Sequence, residues 1–203
     1  MFSKLTSLFK KNTSSRIVVV SGLPRSGTSL MMKMLEAGGI PPLTDNVRAA
    51  DEDNPKGYYE FERVKALRQG DVAWIPLAEG RAVKVIAALL PYLPDTHRYH
   101  VVFMRRAMPE VLASQRQMLI RRGEDPDKIS DEEMARLFQR HLQKVQTWMA
   151  QQPHLEYLEV SYNQLLASPD AVVGRVNRFL GGNLDVEAMK GVVDPSLYRQ
   201  RVQ

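Results

Sequence analysis

The chain has 203 residues, enough for one domain with a substantial core. Its 28 Lys and Arg against 23 Asp and Glu leave a net charge of +5, which favours anionic ligands such as phosphorylated small molecules or nucleic acid. There is no cysteine, which excludes disulfides and thiolate metal sites, and no apolar run is long enough to span a bilayer.

Residues 1–15 mix Phe2, Leu5, Leu8 and Phe9 with Lys4, Lys10 and Lys11 before turning polar. They read as a flexible basic extension, with a short amphipathic helix on a membrane surface as the alternative, and no signal-peptide cleavage pattern follows. Ile17 to Val20 are β-branched and continuous, the pattern of a strand buried on both faces. After a glycine-containing turn, Leu30, Met31, Met34 and Leu35 fall at helical spacing, and Gly38-Gly39 end the helix. A strand, a Gly-rich turn and a helix aim unpaired backbone N–H groups at one point, where the helix N-terminus adds a partial positive charge. An anion belongs at that point. Gly22 to Ser29, GLPRSGTS, has the glycine spacing of a nucleotide-triphosphate loop, but Thr28 stands at the lysine position and the cation is Arg25. Without that lysine, an ATP or GTP enzyme is disfavoured.

Asp45 to Glu62 is polar and acidic, with Pro55 and Gly57, and reads as a surface loop that becomes helical near Tyr59. Val64, Leu67 and Val72 suggest a short helix, and Ala82 to Ile86 a second buried strand. Lys84 inside that strand has two readings, a side chain snorkelling at a strand end or a cation near the phosphates. The third strand, Tyr99 to Met104, runs into Arg105 and Arg106. In open parallel sheets ligands collect beyond the carboxyl ends of the strands, and this end is cationic where a nucleotide hydrolase would place a magnesium-holding aspartate. Pro109 opens the next helix, with Val111, Leu112, Met118 and Leu119 on its apolar face and Ser114 among the other positions.

Arg121 to Lys128 is a charged loop, read either as a lid or as solvated chain. Ser130 and Glu133 form a capping box for a long helix whose core stripe is Met134, Leu137, Phe138, Leu142, Val145, Trp148 and Met149. His141 beside it reads as a packed or surface residue. Leu155 to Val160 is a fourth strand, leading into Tyr162. Ser168 and Pro169 start a helix with Val172, Val173, Val176, Phe179 and Leu180 inward and Gly181-Gly182 at its end. Alternating strands and helices imply an α/β fold of three layers, a central parallel sheet flanked by helices, as in P-loop proteins.

Three segments together resemble the sulfotransferases that use 3′-phosphoadenosine-5′-phosphosulfate (PAPS). LPRSGTS, Leu23 to Ser29, is similar to that family's 5′-phosphosulfate loop. FMRRAMPEVLAS, Phe103 to Ser114, is similar to its 3′-phosphate motif, an arginine at a strand end and a serine eight residues on, here Arg106 and Ser114. The strand, tyrosine and helix beginning EVSYNQLL resemble the later segment in which the tyrosine lies by the adenine, here Tyr162. DNPKGYYEFE resembles a bacterial subset of small sulfotransferase-like proteins. The resemblance implies a sulfotransferase domain over residues 16–203, PAPS as donor without a metal, and a cytoplasmic protein. A small-molecule, carbohydrate or peptide acceptor is expected, and no nucleic-acid partner.

By the same resemblance, Arg25, Ser26, Gly27, Thr28 and Ser29 hold the phosphosulfate, with Arg25 also catalytic, and Arg106 and Ser114 hold the 3′-phosphate. The chain has no copy of the family's late arginine-lysine-glycine segment, and Arg199 and Arg201 are the expected substitutes. Glu60 is the candidate general base, since it follows the Gly57-Tyr58-Tyr59 turn. His97 and His100 are weaker candidates because they precede or open the third strand, at the other end of the sheet. The rival readings are a PAPS-binding protein without catalysis and a P-loop kinase of a small molecule.

Overall fold

A computed structural model of the protein describes residues 16–45 and 59–194. The expectations for residues 1–15, Gly57, Tyr58, Arg199 and Arg201 therefore lie outside the described residues. Strands β1 (Ile17–Gly22), β2 (Ala82–Lys84), β3 (Tyr99–Arg105) and β4 (Leu155–Ser161) form one parallel sheet in the order β2-β1-β3-β4. The helices are α1 (Thr28–Ala37), α2 (Met108–Arg121), α3 (Asp131–Ala150), α4 (Tyr162–Ala167), α5 (Pro169–Phe179) and α6 (Val186–Gly191). Three 3₁₀ segments, Glu62–Gln69, Ile75–Ala78 and Ala87–Tyr92, flank β2. Among the described residues no helix is long and apolar enough to cross a membrane.

β1 pairs with β2 on one side and β3 on the other, and all six of its residues are buried, which is why it needs the continuous apolar run. The period-2 alternation of strands divides the core. Ile17, Val19, Val83, Tyr99, Val101 and Phe103 pack beneath α3 and the 3₁₀ segments. Val18, Val20, Ala82, Val102 and Met104 pack beneath α1, α4, α5 and α6. Burying each large aliphatic side chain stabilises the fold by about 1.5–3 kcal/mol, so both layers depend on this central strand. Gly39, at φ 99°, ends α1, with Gly38 N–H donating to the Met34 carbonyl and Ile40 N–H to Leu35.

Several elements differ from the sequence reading. β2 ends at Lys84; Val85 still donates its N–H to Val20, but Ile86 is 45% exposed as the chain turns into a 3₁₀ segment. Residues 62–69 are 3₁₀ and stop at Gly70, at φ 86°, leaving Val72 on the surface. On α3 only Leu142, Val145 and Met149 are fully buried, while Met134, Phe138 and Trp148 are half-buried and Leu137 is 40% exposed. The first half of that helix extends past the core it was expected to cover. On α2, Met118 and Leu119 are only half-buried, whereas Ser114 is buried. Ser130 caps α3 as expected, through its hydroxyl and Glu133 N–H. Ser168 makes no side-chain capping bond; the preceding α4 is capped by Ser161 instead. Short α6 was not anticipated, and its Met189 covers Gly38, where a Cβ would lie 2.8 Å from Met189 Cγ.

His100, buried in β3, stacks 5.0 Å from the Phe179 ring. Burial and, next, the nearby Arg16 charge pull its pKa below the ordinary 6.5, outweighing the Glu156 carboxylate 3.5 Å from Nε2. The unfolded chain therefore takes up a proton below about pH 6.5 that the folded chain refuses. Stability is full above that pH and falls on acidification, by at most about 1.4 kcal/mol per pH unit from this group. Urea midpoints measured from about pH 7.5 to about 5.5 should drop in the wild type and drop less in His100→Phe.

Candidate functional site

The segment between β1 and α1 is a tight turn. The buried Leu23 carbonyl accepts the Ser26 N–H at 3.2 Å and the Ser26 hydroxyl at 2.7 Å. Pro24 holds its φ near about −65° and Arg25 has φ 68°, the combination of a type II turn. That second position favours glycine, and a side chain there costs about 1–2 kcal/mol. Arg25 is therefore held against a backbone preference. A Cβ on Gly22, at φ 147°, would lie 2.6 Å from the Met104 carbonyl, and one on Gly27, at φ 95°, would lie 2.4 Å from Tyr162 Cδ2. Both glycines let the loop settle against the end of β3 and the start of α4.

α1 begins with no side-chain cap and no acidic residue in its first turn. The first bond within the helix is Met31 N–H to the Gly27 carbonyl, so the amides that open α1 point out of its N-terminal end. These amides and the helix dipole make an anion site.

On one side of the loop, β3 and α2 bring in the second cationic corner. Arg25 Nε donates to Ser114 Oγ at 2.8 Å, and Arg106 Nη1 donates to the Arg25 carbonyl at 3.2 Å. The Arg106 guanidinium lies 4.7 Å over the Tyr162 ring, a cation–π contact, and its Nε donates to Glu110 Oε2 at 2.9 Å. Arg105 leaves the other face of the strand and meets Glu159 at 3.7 Å. Four residues singled out by sequence, Arg25, Arg106, Ser114 and Tyr162, thus meet across more than 130 positions of chain.

On the other side, Lys84 Nζ lies 3.5 Å from Ser29 Oγ and 3.8 Å from Glu60 Oε1, with 10% of its side chain exposed. Of its two readings, the structure places it at the loop. Lys65 lies 3.9 Å from Glu60 Oε2. The Glu60 carbonyl accepts the Thr44 hydroxyl at 2.8 Å, and Asp45 Oδ2 accepts Glu62 N–H at 2.6 Å, so residues 44–45 and 60–62 are fastened together beside α1. Tyr59, at φ 53°, donates its hydroxyl to Glu36, and burial together with that carboxylate raises its pKa. Ser26 is 1% exposed and its hydroxyl serves the turn, whereas Thr28 and Ser29 open α1.

His97 and His100 lie at the amino end of the sheet, where Thr96 and Glu79 face His97. A cavity of about 310 Å³ at that end is lined by Asp95, His97, Arg98 and His154, far along the strands from the loop. His141 is half-buried on α3, with its pKa lowered by burial and then by Lys144. Sequence reading missed Glu110 and Asn163. The only available signal was the spacing of four between Arg106 and Glu110, which suits an ion pair on a helix start.

The family model described as "Sulfotransferase domain" matches residues 15–200. No curated protein matches the chain. Among solved structures, the sulfotransferase domain of the Synechococcus PCC 7002 olefin synthase is 18% identical, with a TM-score of 0.56 over 93% of this chain and 88% of that one. The sulfotransferase STF1 of Mycobacterium tuberculosis H37Rv is 18% identical, with a TM-score of 0.52 over 91% and 75%. STF9 of Mycobacterium avium is 13% identical, with a TM-score of 0.52 over 95% and 70%. At these identities the likeness is one of fold.

The contact between Gly27 and Tyr162 is testable by denaturation. Gly27→Ala adds a Cβ to a left-handed backbone and drives it into the ring, and should cost about 1–3 kcal/mol. In a Tyr162→Ala background the same substitution should cost less, giving a measurable coupling energy in a double-mutant cycle.

Proposed function

This chain belongs to the sulfotransferase family, and on that premise we propose that it transfers a sulfuryl group in the cytoplasm from PAPS to an acceptor. The acceptor group is a hydroxyl or amine of a small molecule, carbohydrate or peptide. The observation that carries the reading is the joining of two anion-binding corners: Arg25 reaches Ser114 and Arg106 reaches the Arg25 carbonyl, beside an uncapped helix N-terminus. A ligand with two separated phosphates fits such a pair.

When bound, PAPS supplies a sulfuryl group on a phosphate leaving group. The α1 amides, Arg25, and the Thr28 and Ser29 hydroxyls hold the 5′ side, while Ser26 keeps the loop in shape. Ser114 accepts from Arg25 and would give its own proton to a 3′-phosphate oxygen, and Arg106 would offer the fork geometry suited to phosphate. Arg199 and Arg201 would add to that grip, and Tyr162 would lie by the adenine. Lys84 places an ammonium beside Ser29, at the start of α1, compensating from the neighbouring strand for the lysine that Thr28 displaces. The fixed donors there would meet negative charge on a departing phosphate oxygen without rearrangement. Glu60, on the Lys84 side of the loop, takes the proton of the acceptor.

Two measurements test this reading. Isothermal titration should show adenosine 3′,5′-bisphosphate binding about tenfold or more tightly than adenosine 5′-monophosphate, and Arg106→Ala should erase the difference. Equal wild-type affinities would sink the donor assignment. With labelled PAPS and an acceptor pool, Arg25→Ala should lower turnover by about 100-fold to 1000-fold at an unchanged melting temperature. In the same assay Glu60→Gln should lose about 100-fold or more, and full activity would remove Glu60 from the mechanism.

A further inference from the structure

Glu110 is the most deeply buried carboxylate among the described residues, 2% exposed, in the first turn of α2. A carboxylate out of water is costly unless it is fully engaged, and removing one partner of a buried ion pair destabilises because the other charge is left uncompensated. Both of its oxygens are engaged here. Oε2 accepts Arg106 Nε–H at 2.9 Å, and Oε1 accepts from Asn163 Nδ2 at 2.9 Å. Asn163 Oδ1 in turn accepts Ala107 N–H at 3.1 Å, which fixes the rotation of its amide and aims its NH₂ group at Glu110.

Arg106 is thereby restrained three ways: Nε at Glu110, Nη1 at the Arg25 carbonyl, and its flat face on Tyr162. Three such restraints define the plane of the guanidinium. If Arg106 served only as a positive charge, a carboxylate 2.9 Å away would defeat it, because the pair is formally neutral. As a fork held in one orientation, Arg106 gains from the same carboxylate, since less freedom is lost when a phosphate arrives. We propose that Glu110, anchored by Asn163, is a positioning residue that presents Arg106 to the 3′-phosphate; the proposal rests on the donor reading above.

The donor and acceptor pattern gives a test. In Glu110→Gln the side chain offers one acceptor and one NH₂ group to two donors, so either Arg106 or Asn163 is left facing a donor. Glu110→Gln should therefore weaken adenosine 3′,5′-bisphosphate by about tenfold or more in isothermal titration while leaving adenosine 5′-monophosphate within about twofold. Adding Asn163→Asp restores complementarity: the new carboxylate accepts from both the introduced amide and the Ala107 N–H, and the amide carbonyl is freed to accept from Arg106. The double variant should regain the preference. An equal loss for both ligands would mark Glu110 as merely structural, and an unchanged bisphosphate affinity or a double variant no better than the single one would also overturn the proposal. If the single variant does not fold, a folded double variant without the preference overturns it. A wild type with no preference defeats the donor reading as well, whereas a preference that survives in Glu110→Gln defeats this proposal alone.

Discussion

The site depends on two missing Cβ atoms. Gly22 lets the loop lie against the Met104 carbonyl, and Gly27 lets it lie against the Tyr162 ring, at distances where any other residue would collide. Only at that closeness can Arg106 reach the Arg25 carbonyl and Arg25 reach Ser114. The hydrogen bonds of the site are therefore consequences of backbone approach. A larger residue at position 27 would separate the cationic corners before it altered any charged group.

The sheet then sorts the charges. Consecutive residues of an extended chain point to opposite faces, so Arg105 at the end of β3 and Arg106 just beyond it part company. Arg106 follows Met104 towards α1 and α4, and Arg105 follows Phe103 towards α3 and Glu159. Only one of the two lies by the loop. On the α1 side, the loop has an arginine cluster on its β3 flank and a lysine and glutamate cluster on its β2 flank, an asymmetry that suits a donor held on one flank and an acceptor received on the other.

Much of this was legible in the sequence, for physical reasons that differ by residue. β1 and the loop were readable because a buried parallel strand must be apolar throughout and a loop around an anion needs glycine. The end of β2 was misplaced because Val85 and Ile86 have the same β-branched chemistry, while only Val85 lies under the core. Leu137 satisfied the helical stripe of α3, yet the stripe extends beyond the surface it covers, and periodicity says nothing about where a neighbouring layer stops. Ser26 looked like its neighbours Thr28 and Ser29, and only the turn geometry separates a hydroxyl spent on Leu23 from those that open the helix. Glu110 was illegible because a glutamate on a helix is ordinarily solvated, and its burial requires Asn163 from a segment 53 residues away.

The pairing of β1 with β3 and the seat of Gly27 on Tyr162 also bear on how the protein comes into being. The loop precedes its seat in the chain, since α4 follows it by more than 130 residues. β1 gains its neighbours β2 and β3 earlier, but until α4 is made the cationic loop lacks its floor. Contacts so distant in sequence are slow to form and leave apolar strands exposed meanwhile. A ligand that needs both corners binds only the finished fold, so its concentration in the cell acts as a thermodynamic weight on completion of folding. The same long-range closure that joins the two cationic corners thus makes a chain stalled before α4 invisible to that ligand.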